Sequence, residues 1–183
     1  MKFVRAIAGY NHLWAVRDEA KEADELTILF RKWSNANYLL DFFLAHIDDL
    51  QGFFHVEKIS DAIKDTMEDA RALERLILDF PYTKQLDELF HPLSLTDNRI
   101  HELTREKARH WDRERHASWL RIYAIRIEPN VYIITGGAIK LTAKMQDREH
   151  TQIELDKLNA CRNYLQQKGV FDKDSFIDCY EED

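Results

Sequence analysis

The fold is decided by residues 119–144, WLRIYAIRIEPNVYIITGGAIKLTAK. From Trp119 onward the side chains alternate between two faces, which is the period of a β-strand. The turn-forming run EPN at 128–130 leads into the β-branched run 131–135, so the two segments are predicted to form a hairpin. The glycines at 136–137 end the second strand or form a bulge in it, and a short strand element is expected at 138–141. One face of the first strand carries Leu120, Ile122 and Ala124, and the other carries Arg121, Tyr123 and Ile125.

Helical patterns lie on both sides of this hairpin. Residues 25–33, 38–50 and 59–80 have the spacing of amphipathic helices, and Pro81 is expected to end the last of them. A C-terminal helix is predicted at residues 147–166. The sequence therefore predicts an α+β protein in which a helical N-terminal half is followed by a small antiparallel sheet packed against a C-terminal helix. The inward-facing residues of that helix are Leu155, Leu158, Cys161 and Leu165.

Charge divides the chain into three parts, although the net charge is only −7. Residues 1–98 contain 11 basic and 18 acidic side chains, residues 99–168 contain 14 and 9, and residues 169–183 contain 1 and 6. Positive charge is thus concentrated in the predicted sheet region, as expected of a surface that binds a polyanion. We accordingly divide the chain into a mostly helical acidic segment, a basic α+β module and an acidic tail.

Composition limits the location and the chemistry of the protein. Polar residues interrupt the N-terminal segment before it could serve as a signal peptide, and no window approaches the roughly 18 uncharged apolar residues of a spanning helix. Cys161 and Cys179 have no CxxC partner, which disfavours a disulfide framework and a zinc knuckle. A soluble, cytoplasmic protein with no membrane partner is expected.

Four short motifs in the basic module follow the order and spacing of a known family. Together they resemble the RelE/HigB ribosome-dependent toxins, in the phage-derived branch of the RelE/ParE superfamily. The resemblance covers residues 102–165. It implies a RelE/ParE-like fold and the toxin component of a toxin–antitoxin system, an endoribonuclease (mRNA interferase, a hydrolase) that cleaves mRNA on the ribosome. The motifs are Glu102-Leu103, Arg121-Ile122-Tyr123, Tyr132-Ile133-Ile134 and the run 137–144, GAIKLTAK, ahead of a helix.

The resemblance also implies residues of a catalytic site. Arg121 matches the arginine that the family places beside the scissile phosphate, where it would stabilise the negative charge of the transition state. Tyr123 lies on the same strand face and belongs to the same motif. Lys140 and Lys144 match the two lysines of the closing motif, and they would hold phosphate or, with a lowered pKa, transfer a proton.

A run of basic residues lies between the Glu102-Leu103 pair and the strand that carries Arg121. It is expected to form an RNA-backbone face on a helix of mixed charge. Acidic residues interrupt the run, so an ordinary solvated helix face is the alternative. Its cationic members are Arg105, Lys107, Arg109, Arg113 and Arg115.

Two histidines are candidates for the general acid and base. His116 and His150 lie close in sequence to the motifs that would contact phosphate, although either could be an ordinary surface or capping residue. His101, His110 and His116 are spaced by nine and six residues, which does not place them on one helix face. No metal and no cofactor are therefore predicted.

Other functions remain open at this point. The basic module could bind RNA or protein without cleaving anything, or it could be a ParE-like gyrase inhibitor on the same fold. For a toxin, the resemblance implies a cognate antitoxin protein, mRNA and the ribosome as partners. The acidic tail could screen the basic face or be a disordered, solubilising segment.

Overall fold

A computed structural model describes residues 1–93, 103–109 and 118–182 of the chain. This part of the chain contains six α-helices and one mixed sheet of six strands, so the predicted α+β class is confirmed. The strands are β1 (Lys2–Arg5), β2 (Leu13–Arg17), β3 (His91–Pro92), β4 (Thr104–Ala108), β5 (Leu120–Glu128) and β6 (Val131–Ile139). The helices are α1 (Glu25–Trp33), α2 (Ala36–Ala45), α3 (Ile47–Phe54), α4 (Ile59–Thr83), α5 (Glu149–Gln167) and α6 (Lys173–Glu182).

The sheet has the order β1-β2-β6-β5-β4-β3. Its strands pair antiparallel except for β2 and β6, which run parallel. The prediction of a small antiparallel sheet after a helical N-terminal half was wrong in this respect, since two N-terminal strands join the sheet. A parallel pair needs a long crossover connection. Four helices and three strands lie between β2 and β6 along the chain, so no local turn signal indicates that they pair.

The hairpin of β5 and β6 is confirmed. Its turn contains Asn130, which adopts a left-handed conformation with φ of 62° and accepts a hydrogen bond from the Asp87 N–H through its side chain. Tyr123 pairs with Gly136 and Ala124 pairs with Ile134, so one extra residue of β6 forms a bulge. The strand then continues to Ile139, and the separate strand element expected at 138–141 is the end of β6.

The two glycines of β6 let helix α5 approach the sheet closely. The Glu154 carboxylate of α5 accepts a hydrogen bond of 3.0 Å from the Gly137 N–H. A Cβ on Gly136 would overlap this carboxylate, and a Cβ on Gly137 would overlap the Arg121 carbonyl. Because any side chain would push these groups apart, the glycines fix the distance between β6, β5 and α5.

Helices cover both faces of the sheet. Leu120, Ile122 and Ala124 point into a core shared with α1 to α4, whereas Tyr123 and Ile125 point into a core shared with α5 and α6. The predicted alternation of β5 is therefore confirmed, and both of its faces are buried. None of the described helices is long and apolar enough to span a membrane.

Some predicted boundaries were wrong. Helix α4 continues through Pro81 to Thr83. The expected helix over residues 38–50 is two helices, α2 and α3. The run that begins at Arg105 is not helical where it is described, because residues 104–108 form β4. Every second residue of that run is basic from 105 to 109, and the strand period fits this spacing better than the helical one.

The acidic tail is not a disordered segment over residues 173–182, which form α6. Phe176 has no exposed surface, and its ring contacts Phe3 and Trp14 with centroid distances of 5.3 and 5.1 Å. The Lys173 backbone N–H donates to Glu128, at the end of β5. Helix α6 therefore packs near the β1 edge. The acidic side chains of the tail over residues 173–182 belong to this packed helix.

We expect Phe176→Ala to lower the free energy of unfolding by about 3 to 5 kcal/mol, because it leaves a cavity between α6 and the sheet. Urea unfolding followed by tryptophan fluorescence measures this, since Trp14 contacts the ring. The exposed Asp178 on the same helix provides a control, and Asp178→Asn should leave the stability within about 0.5 kcal/mol. Equal stability of Phe176→Ala and wild type would contradict the packing of α6.

Candidate functional site

A cleft of about 590 Å³ lies on the face of the sheet that α5 covers, toward the β3 edge. Strands β3, β4 and β5, the loop after β6 and one side chain of α5 form its walls. Its described lining includes His91, Tyr123 and four apolar residues, but no aspartate or glutamate. The described cations of the lining are Arg105, Lys107, Arg109, Arg121, Lys140 and Lys144.

Strand register brings the cations of β4 and β5 together. Lys107 pairs with Tyr123 of β5 on one side and with His91 of β3 on the other, so these three side chains form a row across the sheet. Ala108 pairs with Ile122, which places the next residues, Arg109 and Arg121, beside each other. Residues from three strands thus meet on one face because paired residues point to the same side.

Arg121 is held by its own backbone. One terminal nitrogen of its guanidinium donates to the carbonyl oxygens of Ser118 and Leu120, at 2.5 and 2.7 Å. Burial, and then the charge of Arg109, lower the pKa of Arg121 to about 10. Its hydrogen-bond partners within the described chain are carbonyls, so its charge is not neutralised by a carboxylate there. Anchored in this way, the guanidinium is oriented before a ligand arrives.

Two lysines share this positive field. Lys107 donates to the Leu93 carbonyl at 3.1 Å, and Lys140 donates to the carbonyls of Thr142 and Ala143. The pKa of each lysine is lowered by burial first and next by the charge of Arg121. The second of these causes is repulsion between the cations, which a bound anion would relieve. The cleft is therefore suited to an anionic ligand.

Tyr123 adds an uncharged donor to the cleft. The residue has no exposed surface, and its hydroxyl has no hydrogen-bond partner within the described residues. Burial raises the pKa of the phenol, so it stays protonated. A buried hydroxyl without a partner costs free energy, which a ligand oxygen in the cleft would recover.

Some site predictions fall elsewhere. His150 does not line the cleft, because its Nε2 lies 2.9 Å from the Ile139 carbonyl and its ring packs against Phe42 and His46. The role of His150 as a general acid or base stays a prediction, and the structure places its ring beside Ile139 rather than in the cleft lining. Arg113, Arg115 and His116 lie outside the described residues.

The structure brings one histidine to the cleft that the sequence did not single out. His91 lies on β3, a two-residue strand at the edge of the sheet, opposite Lys107. Such a short strand has no periodic pattern, and only its pairing with β4 shows where His91 points. Among the described residues that line the cleft, His91 is the histidine. Its exposed imidazole could donate or accept a proton there.

The chain matches no family model, no curated protein and no solved structure. The resemblance to the RelE/HigB toxins thus stays a prediction from the motif residues. Within the described chain, no group of three histidine, cysteine, aspartate or glutamate side chains is placed to hold a metal ion.

Proposed function

We propose that this protein is the cytoplasmic toxin of a toxin–antitoxin system, an endoribonuclease that cleaves mRNA on the ribosome. One observation carries the proposal. Arg121, Tyr123, Lys140 and Lys144, which the sequence singles out in two separate motifs, line a single cleft together with the cations of β4. A RelE/ParE-like core of β4, β5, β6 and α5 is part of the proposal, and the antiparallel order of these strands before a closing helix supports it.

Cleavage of RNA by its own 2′-hydroxyl needs three things from a protein. The 2′-oxygen loses its proton and attacks phosphorus, the phosphorane gains negative charge, and the bond to the 5′-oxygen breaks as that oxygen takes up a proton. Arg121 suits the second task, because a preorganised guanidinium can pair with two phosphoryl oxygens. Tyr123 can donate its hydrogen bond to the same phosphoryl group.

The proton transfers fall to the other groups of the cleft. Lys140 suits the role of general base, since its lowered pKa gives a larger fraction of neutral amine at pH 7 than an ordinary lysine has. His91 suits the role of general acid for the departing 5′-oxygen, because it lies beyond Lys107 on β3, at the other side of the cleft from Lys140. Lys144 would neutralise a neighbouring phosphate.

The same charge suits an inhibitory partner. A cognate antitoxin that places carboxylates over the cleft would compete with mRNA for the same cations, and its association would be accelerated by the opposite charge. The net charge of −7 for the whole chain does not prevent this association, since the local field of the cleft is positive.

Primer extension on mRNA from cells induced to express the chain tests the proposed function. We expect discrete cleavage sites within translated frames, growth arrest, and loss of both with Arg121→Ala. Lys64→Ala is the matched control, because this exposed cation lies on α4, on the other side of the sheet. Growth arrest with intact mRNA would favour a gyrase inhibitor, and neither effect would favour a binding module. Either result would refute the nuclease.

A further inference from the structure

We infer that β4 and Arg109, the residue that follows it, form a ladder for the backbone of single-stranded RNA, in which Arg105, Lys107 and Arg109 contact three successive phosphates leading to the position beside Arg121. The inference rests on the proposed function and adds the path of the substrate. Within the described chain, these three residues line one wall of the cleft.

The first argument is the spacing of the cations. Alternate residues of a strand point to the same face and lie about 6.6 to 6.8 Å apart. Two amino-acid residues contribute six backbone bonds, and one nucleotide also contributes six from phosphorus to phosphorus. Extended chains with the same number of similar bonds have similar repeats, so a cation at every second residue matches one phosphate per nucleotide. A helix would not give this match, because its alternate residues point in different directions.

The second argument is the register of the ladder with the rest of the cleft. Arg109 lies beside Arg121, as follows from the pairing of Ala108 with Ile122. Lys107 is flanked by Tyr123 and His91, and Arg105 contacts Asn159 of α5 at 2.9 Å. The ladder therefore starts at the proposed scissile phosphate and leads along β4 toward α5, with one cation at each step.

The third argument is the amount of charge. A single phosphodiester carries one negative charge, whereas the described lining carries six basic side chains. Burial is the main cause of the lowered pKa of Lys107 and Lys140, and the charge of Arg121 lowers it further; one phosphate would relieve this repulsion only in part. A strand with several phosphates neutralises more of the cations than a mononucleotide does.

The test measures binding without cleavage. Oligonucleotides with 2′-O-methyl groups cannot attack their own phosphates, so lengths with one to four phosphates can be titrated between 50 and 200 mM salt. For a single strand the slope of log K against log salt changes by about 0.7 for each phosphate that is neutralised. We expect the slope to steepen with each phosphate up to at least three, and then to change less.

Neutralising the ladder should act most strongly on the longer strands. Lys107→Gln and Arg105→Gln should each reduce the slope by about 0.7 for three or four phosphates, which makes the affinity change between the two salt concentrations about 2.6-fold smaller. The slope for the single-phosphate probe should change less than the slopes for the longer strands. Lys64→Ala serves as the control and should change no slope, and thermal unfolding verifies that each variant is folded.

The possible results separate this inference from the proposed function. Length-dependent slopes that Lys107→Gln reduces would support the ladder even if no mRNA is cleaved in cells. Slopes that are independent of length, or equal effects of Lys107→Gln on the short and long probes, would overturn the ladder even if mRNA is cleaved.

Discussion

Arg121→Ala is expected to lower the rate of mRNA cleavage by about 100-fold to 1,000-fold, which corresponds to about 2.7 to 4 kcal/mol of lost transition-state stabilisation. The reason is the anchoring of the guanidinium by the Ser118 and Leu120 carbonyls, which orients its remaining donors before the substrate binds. Single-turnover cleavage of a translated mRNA in a cell-free extract measures the rate, with variant and wild type at equal concentration.

Arg121→Lys is the informative companion variant. It keeps a positive charge but loses the planar set of five donors, so its three donors cannot bind the two carbonyls and two phosphoryl oxygens together. We expect a loss of at least tenfold for Arg121→Lys. Full activity of Arg121→Lys would show that charge alone is required, and full activity of Arg121→Ala would contradict the assignment of the site.

Removal of Arg126 is expected to destabilise the fold strongly. Arg126 of β5 binds Asp87 through two nitrogens, at 3.1 and 3.3 Å, and only 10% and 19% of the two side chains are exposed. Asp87 also accepts hydrogen bonds from the Tyr132 hydroxyl at 2.6 Å and from the Asn130 N–H at 3.1 Å. Glu106, which is fully buried, lies 3.1 Å from the same hydroxyl. Arg126 therefore lies close to two carboxylates at the turn of the hairpin.

Arg126→Met should lower the free energy of unfolding by about 3 kcal/mol, because it removes the guanidinium from a largely buried carboxylate. Urea unfolding at pH 7 of the wild type, Arg126→Met, Asp87→Asn and the double variant gives the interaction energy of the pair. The double variant should be more stable than Arg126→Met. A double variant whose destabilisation is the sum of the two single effects would contradict the pairing.

The contribution of Asp87 to stability depends on pH in a definite direction. Desolvation raises the pKa of Asp87, but the hydrogen bonds from Arg126, Tyr132 and Asn130 outweigh it and lower the pKa below the ordinary value of 3.8. The ionised carboxylate therefore stabilises the fold above pH 3.8, and this contribution is lost as the pH falls through the lowered pKa. In Arg126→Met the carboxylate protonates at a higher pH than in the wild type. The difference in stability between the two proteins should accordingly decrease as the solution is acidified.

Local sequence patterns determined the central part of this protein. The period of two from Trp119 places Arg121 and Tyr123 on one face of β5, and the EPN run at 128–130 turns the chain into β6. Helices α1 and α5 follow from their apolar spacing, and α1 has the predicted bounds. These features were predictable because the interactions that define them, turn preference and side-chain periodicity, lie within a few residues of one another.

Tertiary structure alone determined which strands form the edges of the sheet and which side chains line the cleft. Strands β1, β2 and β3 are two to five residues long and are stabilised by partners that are distant in sequence, so no local pattern marks them. The same packing places His91 beside Lys107 and places His150 against Phe42 and His46. A histidine close in sequence to the motifs is thus outside the cleft lining, because the pairing of strands and the docking of helices determine which side chains meet.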